Sequence, residues 1–175
     1  MFSLLMLMLA LLCSIGWAGN AFALNVGDAA PNVTLPTSAS RATPATAIDF
    51  GKLKGKIVYV DFWASWCGPC KQSFPWMNEM HTKYGPQGLE IVAINVDAKA
   101  ADAERFLATS SAKFTVAFDA KGETPKQFGV KSMPTSFLVN SDGKITLVHS
   151  GFRDADRAQL ETAIVGALAL EKVKK

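Results

Sequence analysis

The sequence has few residues of the kind that bind soft metals. Its 175 residues include 3 cysteines and 2 histidines, and only Cys67 and Cys70 stand close together. Zinc sites that use a C-x-x-C pair need four ligands and normally include a second cysteine pair. This chain has no second pair, and His81 and His149 are the only other candidates. A zinc site is therefore disfavoured, and we expect no metal or other cofactor.

Charged residues are absent from the N-terminal segment. Residues 1–23 contain no Lys, Arg, Asp or Glu and end in "AFA", which is typical of a signal peptide cleaved after Ala23. The usual positive residue near the start is also missing, so an uncleaved membrane anchor is the alternative. The apolar stretch from Leu4 to Leu12 is short for a spanning helix, which needs about 20 residues. We expect residues 1–23, with Cys13, to be removed and residues 24–175 to form one exported domain, in contact with a membrane only if the anchor is kept.

The charge distribution does not indicate a nucleic-acid-binding protein, and the size of the domain does not require a structural disulfide. The formal net charge is +3 and the basic residues are scattered apart from the tail "EKVKK", so no nucleic-acid surface is indicated. A domain of this size can form a core without disulfides. A disulfide that closes a fifteen-residue loop contributes about 3 kcal/mol, and one across two residues contributes less. The pair is therefore predicted to be chemical rather than structural.

Hydrophobic patterning predicts an α/β domain. A buried strand, a helix and a second buried strand come first and form a βαβ unit, and a hairpin with an Asp-Gly turn comes late in the chain. The predicted fold class is a three-layer α/β/α sandwich whose mixed central sheet is parallel in its first part and antiparallel in its last. The predicted elements are short strands at Asn32 to Leu35 and "AIDF", strands "KIVYVDFWA", "LEIVAINVD" and "KFTVAFD", a hairpin of "MPTSFLVN" and "ITLVHSG", and helices at Pro69 to Tyr84 with a kink at Pro75, Ala100 to Ala108, Thr124 to Phe128, and Asp154 to about Val173.

The positions of the two cysteines suit disulfide exchange. Cys67 is placed where a buried strand ends and a helix begins, where free backbone N–H groups and the helix dipole favour a thiolate. Cys70 follows in the first turn and is expected to be more buried. From there it could displace the partner sulfur from a mixed disulfide on Cys67.

Two further residues point to the same chemistry. Asp61 lies in the middle of "IVYVDFW", where burial should raise the pKa of its carboxyl, and it could exchange a proton with Cys70. The alternative is an edge-exposed or salt-bridged aspartate. Pro134 begins a predicted strand, and a cis Met133–Pro134 bond could present a backbone edge to a substrate disulfide. The alternative is an ordinary trans strand start.

These residues together resemble the thioredoxin family. "VDFWASWCGPC", Pro75 in the helix, "MPTSFLV" and Gly151 follow the family pattern in order. The resemblance implies that Cys67 is the nucleophile of a redox-active disulfide and Cys70 the resolving thiol. It also implies that Asp61 is a buried proton carrier and that Pro134 is a cis-proline beside them.

The same resemblance suggests a substrate-binding surface. It implies that Trp63 and Trp66 shape the surface around the cysteines. Trp66, Met133 and Thr135 are our candidates for contacts with the substrate.

Other features resemble the periplasmic TlpA, ResA and DsbE-type branch of that family. These features are the export signal, "GDAAPNVTLP", "DFGKLKGK", and the extra helix and strand between Asp97 and Asp119. The branch implies a periplasmic enzyme that reduces protein disulfides, as in cytochrome c maturation or copper-centre assembly, with a membrane thiol reductant as electron donor. Two departures stand out. Ser73 replaces an acidic residue common in cytochrome-maturation members, and Ala93 stands where many short thioredoxins have a lysine.

Two other functions remain open from the sequence. A copper carrier could use Cys67 and Cys70 with Met77, Met80 or His149, because soft ligands suit Cu(I), although the methionines have the helical spacing of core residues. A disulfide-donating oxidase would keep the chemistry and reverse it. Gly-Pro between the cysteines favours reduction, and a measured potential separates about −270 mV, as in thioredoxin, from about −120 mV, as in a strong oxidant.

Overall fold

The computed structural model describes residues 23–37 and 46–174. The predicted signal peptide, with Cys13, lies outside the described residues except for Ala23. The elements are β1 (Thr34–Pro36), β2 (Ala47–Asp49), β3 (Ile57–Trp63), α1 (Gly68–Tyr84), β4 (Leu89–Asn95), α2 (Ala100–Thr109), β5 (Thr115–Phe118), α3 (Glu123–Gln127), β6 (Thr135–Val139), β7 (Ile145–Ser150) and α4 (Arg157–Val173). Short 3₁₀ turns occupy Phe50–Leu53, Gly85–Gln87 and Asp154–Asp156.

The central sheet has five strands in the order β5-β4-β3-β6-β7. Strand β4 runs parallel to β3 and to β5, whereas β6 runs antiparallel to β3 and to β7. The predicted βαβ unit, the late hairpin and the mixed sheet are thus confirmed. Strand β3 is central, which explains why its sequence reads as a continuous buried run.

The two faces of β3 build two separate cores. Tyr59 and Trp63 point to the face covered by α1, α2 and α4, and Val60 and Phe62 point to the opposite face. This follows from the two-residue period of a strand. On α4, the side chains of Leu160, Ile164 and Leu168 form one stripe, which is buried on the first face.

The second face of the sheet is covered by short elements and contains no long helix among the described residues. Residues around α3, the 3₁₀ turn Phe50–Leu53 and the N-terminal strands close it, with Phe128, Leu53 and Leu35 buried there. Strands β1 and β2 pair only with each other. The predicted "AIDF" strand is therefore present, but in a small sheet of its own. The α/β sandwich with helices on both faces is confirmed.

The last helix differs from its prediction in its first turn. Asp154–Asp156 form a 3₁₀ turn, and α4 begins at Arg157. The Arg153 backbone N–H donates a 2.9 Å hydrogen bond to Oδ2 of Asp156, and the guanidinium of Arg153 also binds this carboxyl. These bonds form a capping box for the 3₁₀ turn, whereas Asp156 makes no side-chain capping hydrogen bond to α4 itself.

Within residues 23–37 and 46–174, no helix combines the length and the apolar character that crossing a membrane requires.

Candidate active site

The two cysteines lie where β3 ends and α1 begins, as the sequence predicts. They are joined by a disulfide bond. Cys67 is the N-cap residue of α1, and its sulfur accepts the backbone N–H of Cys70 at 3.2 Å. Pro69 stands at the start of the helix, where its missing N–H costs nothing and its fixed φ suits the first turn. The first turn contains no acidic residue, so no carboxylate there opposes the positive end of the helix dipole at Cys67.

The two sulfur-bearing residues differ in their access to solvent. Cys67 is 4% exposed and Cys70 is 0% exposed. Cys70 belongs to the core formed by α1 and the face of β3 beneath it. An incoming thiolate or disulfide therefore approaches the pair from the Cys67 side.

Asp61 is a buried carboxyl with only one polar partner among the described residues. It is 1% exposed, and Oδ1 accepts a 2.7 Å hydrogen bond from Oγ of Ser136. Oδ2 is buried without a partner. Burial raises the pKa of Asp61 to about 7, against the smaller lowering effect of Ser136. The prediction of a buried carboxyl with a raised pKa is confirmed, and Asp61 is neither at an edge nor in a salt bridge.

The position of Asp61 in the sheet places it on the face that packs against α1, the helix that carries Cys70. It shares a strand face with Tyr59 and Trp63, which pack in the same core as Cys70. Across the sheet, its register partners are Ala93 on β4 and Ser136 on β6. Ala93, which stands where many short thioredoxins have a lysine, thus lies next to Asp61 in the sheet. Asp61 therefore titrates without a lysine partner at this position.

A cis peptide bond joins Met133 and Pro134. Pro134 is buried just before β6, and its carbonyl accepts the backbone N–H of Gly151 at 2.8 Å. Met133 is half-buried and packs against both cores. The hydroxyl of Thr135 donates to the Ser132 carbonyl at 2.8 Å, so this side chain is engaged within the protein, and its predicted substrate contact stays a prediction.

The two tryptophans near the cysteines have opposite environments. Trp66 is 71% exposed, whereas Trp63 is 0% exposed. The Trp63 ring packs 4.9 Å from the rings of Phe74 and Phe106, measured between centroids. The prediction that Trp63 shapes the surface is therefore wrong, because β3 is the central strand of the sheet and both of its faces are buried.

Sequence reasoning missed a carboxylate that holds the segment before Cys67. Asp97 accepts hydrogen bonds from the backbone N–H of Ser65 at 2.9 Å and from its hydroxyl at 3.1 Å. The side-chain amide of Asn95 donates to the same carboxyl at 2.8 Å. The available signal was the polar pair Asn95 and Asp97 at the carboxyl end of the parallel strand β4, beside the end of β3.

The methionines and the histidine considered for copper binding have other structural roles. Met77 and Met80 lie on α1 and are buried in the core between this helix and the sheet, as their helical spacing predicts. His149 lies on β7, where its Nε2 is 3.4 Å from Oδ2 of Asp156. In the described part of the chain, no three His, Cys, Asp or Glu side chains form a group that could hold a metal.

The fold and the cysteine pair at the start of α1 are those of thioredoxin-like thiol-disulfide oxidoreductases. A family model described as Redoxin matches residues 25–164, and the chain belongs to this family.

Named relatives agree with this class. The chain is 37% identical over 122 residues to the thiol-disulfide oxidoreductase ResA of Bacillus thuringiensis subsp. konkukian, covering 70% of this chain and 68% of that protein. It is 33% identical over 151 residues to ResA of Bacillus subtilis, covering 83% and 82%. A crystal structure of a Chlorobium tepidum protein assigned as the thiol:disulfide interchange protein DsbE is 52% identical, with a TM-score of 0.78 over 83% of this chain and 99% of that chain.

Proposed function

We propose that this protein reduces disulfide bonds of other proteins in the periplasm, with Cys67 as the attacking thiolate and Cys70 as the resolving thiol. The observation that carries this proposal is the contact between the Cys67 sulfur and the backbone N–H of Cys70 at the start of α1. In the reduced protein, the same N–H and the helix dipole favour a thiolate on Cys67. The larger exposure of Cys67 supports the same assignment.

The reaction proceeds in two exchange steps. The Cys67 thiolate attacks one sulfur of the substrate disulfide, forms a mixed disulfide and releases the other sulfur as a thiolate. The ionised carboxyl of Asp61 takes the proton of the Cys70 thiol. The Cys70 thiolate then attacks the Cys67 sulfur, which closes the internal disulfide and releases the second substrate thiolate. Two electrons pass from the dithiol to the substrate.

Asp61 suits the proton transfer because its pKa is raised to about 7. A general base or acid works best when its pKa is close to the pH at which it operates. Asp61 therefore exists in both forms near neutral pH, and it can accept the proton in one step and return it in the next cycle.

The substrate surface lies on the exposed side of the cysteine pair. Trp66 offers a large exposed ring before Cys67. The segment of Met133, Pro134 and Thr135 lies at the start of β6, and the side chain of Met133 is half-buried there. We assign substrate contacts to these residues and a supporting role to the buried side chain of Thr135.

The proposed location rests on the export signal, and the proposed electron donor rests on the resemblance to the periplasmic branch of the family. Residues 1–23 have the composition of a signal peptide, and oxidised cysteine pairs are typical of exported proteins. A membrane thiol reductant would then return the protein to its dithiol form. Ser73, buried and bonded to the Cys70 carbonyl at 2.9 Å, stands where cytochrome-maturation members often carry an acid, so the substrate is a protein disulfide of unassigned pathway.

Substitution of each cysteine tests the proposal. Cys67→Ser should abolish reduction of insulin disulfides, because no thiolate remains to attack. Cys70→Ser should attack once and stay joined to its substrates, which can be isolated from periplasmic extracts. The double variant is the matched control, since it cannot form mixed disulfides. Retained activity in Cys67→Ser would refute the assignment.

Two measurements separate the alternatives. A reduction potential near that of thioredoxin, about −270 mV, supports reduction, and one of about −120 mV supports the oxidase. Stoichiometric Cu(I) binding that survives competition with a thiol would favour the carrier.

A further inference from the structure

Four strands meet at the end of the sheet that carries the cysteine pair. The carboxyl ends of β3, β4 and β5 lie in one row, because Trp63 is the register partner of Asn95, and Asn95 is that of Phe118. Strand β6 starts in the same row, with Thr135 opposite Phe62. Neighbouring strands are about 4.8 Å apart, so the four strand ends together span about 14 Å.

Each chain segment at this end of the sheet carries an exposed lysine. Lys121 follows β5, Lys99 follows β4, and Lys131 precedes β6. Lys71 lies in the first turn of α1, where its backbone N–H donates to the Cys67 carbonyl at 3.3 Å. In the strand order β5-β4-β3-β6, the cysteine pair therefore has lysines on both sides. The four lysines are scattered in the sequence, and the sheet brings them together.

These four lysines form no salt bridge with any residue that the structure describes. Of the carboxylates nearby, Asp97 and Asp119 are buried and accept the backbone N–H groups of Ser65 and Thr124. Glu104 is exposed on α2. The others pair on their own elements: Asp102 with Arg105, Glu123 with Lys126, Asp154 with Arg157, and Asp156 with Arg153. The exposed charge around the cysteine pair is therefore mainly positive.

An exposed aromatic ring lies between these charges. Trp66 is 71% exposed and directly precedes Cys67. Tryptophan is among the residues that most often dominate binding at protein interfaces, and charges around such a residue mainly raise the rate of association with an oppositely charged partner. A polypeptide fits this combination, because it offers an apolar contact, acidic groups on both sides and a disulfide at once.

We propose that the basic face formed by Trp66, Lys71, Lys99, Lys121 and Lys131 is a docking surface for proteins whose disulfide lies among acidic residues. This proposal rests on the proposed function above and adds a substrate class to it. The lysines attract an acidic partner before contact, and Trp66 then binds it while the thiolate beside this ring attacks the disulfide. Electrostatic steering of this kind raises association rates by about 10- to 1,000-fold and weakens steeply as the ionic strength rises.

Two disulfide peptides test this substrate class. They share one disulfide loop, which is flanked by four glutamates in one peptide and by four glutamines in the other. At about 0.01 M salt, the reduced wild-type protein should react about tenfold faster with the glutamate peptide. This preference should vanish at about 1 M salt, where the Debye length falls to about 3 Å. Both rates are divided by the rate with dithiothreitol, a small dithiol, which gives the intrinsic reactivity of each disulfide.

A triple variant tests whether the lysines of the basic face cause the preference. Lys99→Gln, Lys121→Gln and Lys131→Gln are combined in one protein, which should lose most of the tenfold preference for the glutamate peptide. Lys71 is kept, because it follows Cys70 directly in α1 and its removal would also change the surroundings of the thiol.

A second triple variant is the matched control. Lys52→Gln, Lys54→Gln and Lys144→Gln remove the same charge from the opposite end of the sheet, where β3 and β7 begin. These three lysines are also exposed. The control should keep the preference for the glutamate peptide. An equal loss of preference in both triple variants would show that the net charge attracts the peptide, and would overturn the proposed docking surface.

The remaining outcomes separate this proposal from the proposed function. Equal normalised rates for the two peptides, or a preference that salt does not change, would overturn the docking surface and leave the disulfide reductase standing. Failure to reduce either peptide would overturn the reductase, and the docking surface with it. Sedimentation of the protein with phosphatidylglycerol vesicles through the same three lysines, without a preference between the peptides, would assign the basic face to an anionic membrane and overturn the proposal.

Discussion

Ser136 on β6 donates a 2.7 Å hydrogen bond to Oδ1 of Asp61 on β3, and this bond opposes the effect of burial on the carboxyl. The bond favours the charged form, whereas burial favours the neutral form and is the larger influence. The resulting pKa of about 7 therefore depends on a serine that no cysteine motif contains.

Ser136→Ala should raise the pKa of Asp61 further. A hydrogen bond to a charged group contributes about 1.5–3 kcal/mol, which corresponds to about one to two pH units. The acid limb of the pH profile of insulin reduction should move upward by about that much. Ser73→Ala is the control, because Ser73 is equally buried but bonds the Cys70 carbonyl instead of Asp61. Superimposable profiles for Ser136→Ala and wild type would contradict the prediction.

Asp61→Asn should change how stability depends on pH. The pKa of Asp61 is about 7 in the folded protein and 3.8 in its ordinary state. The stability that its protonated form contributes is thus fully present below about pH 4 and is lost as the pH rises to about 7. The loss amounts to roughly 4 kcal/mol.

Urea unfolding of the oxidised protein at pH 5 and pH 8 measures this effect. Wild type should lose stability between the two, and Asp61→Asn should lose much less. Asp142→Asn is the control, since Lys174 lowers the pKa of that exposed carboxyl and it stays ionised over this range. Equal losses of stability in wild type and Asp61→Asn would show that the pKa of the Asp61 carboxyl is not raised.

The sequence predicts the parts of the site that depend on short-range order. Cys67 and Cys70 are placed by the change from a strand to a helix, and Asp61 by its position in an apolar run. Ser136 and Asp97 could not be placed in this way, because their partners lie 75 and 32 residues away and depend on strand register. Trp63 was misplaced because the motif does not show that β3, as the central strand, is covered on both faces along its whole length.

Asp97 should matter for catalysis because it accepts two hydrogen bonds from Ser65. Asp97→Ala removes both hydrogen bonds to Ser65 and leaves its backbone N–H without a partner, at a cost of about 1–3 kcal/mol. The turn that leads to Cys67 then loses its connection to β4, so kcat/KM for insulin should fall at temperatures where the variant is folded.

Asp119→Ala is the matched control for Asp97→Ala. Asp119 is also buried and accepts the backbone N–H of Thr124 at 2.6 Å, but it holds the start of α3 rather than the cysteine turn. It should lose a similar amount of stability and keep its activity. If Asp97→Ala lost only stability, the connection would have no catalytic role.

The two tryptophans beside the cysteines should separate substrate binding from folding. Trp66→Ala removes an exposed ring, so stability should stay within about 0.5 kcal/mol of wild type. KM for insulin should rise, while the rate with a small disulfide such as oxidised glutathione stays unchanged, because only a protein substrate covers the ring. Trp63→Ala should instead lose about 3–5 kcal/mol of stability from a cavity in the core. A Trp66→Ala protein that reduces insulin with unchanged KM would remove this residue from the substrate surface.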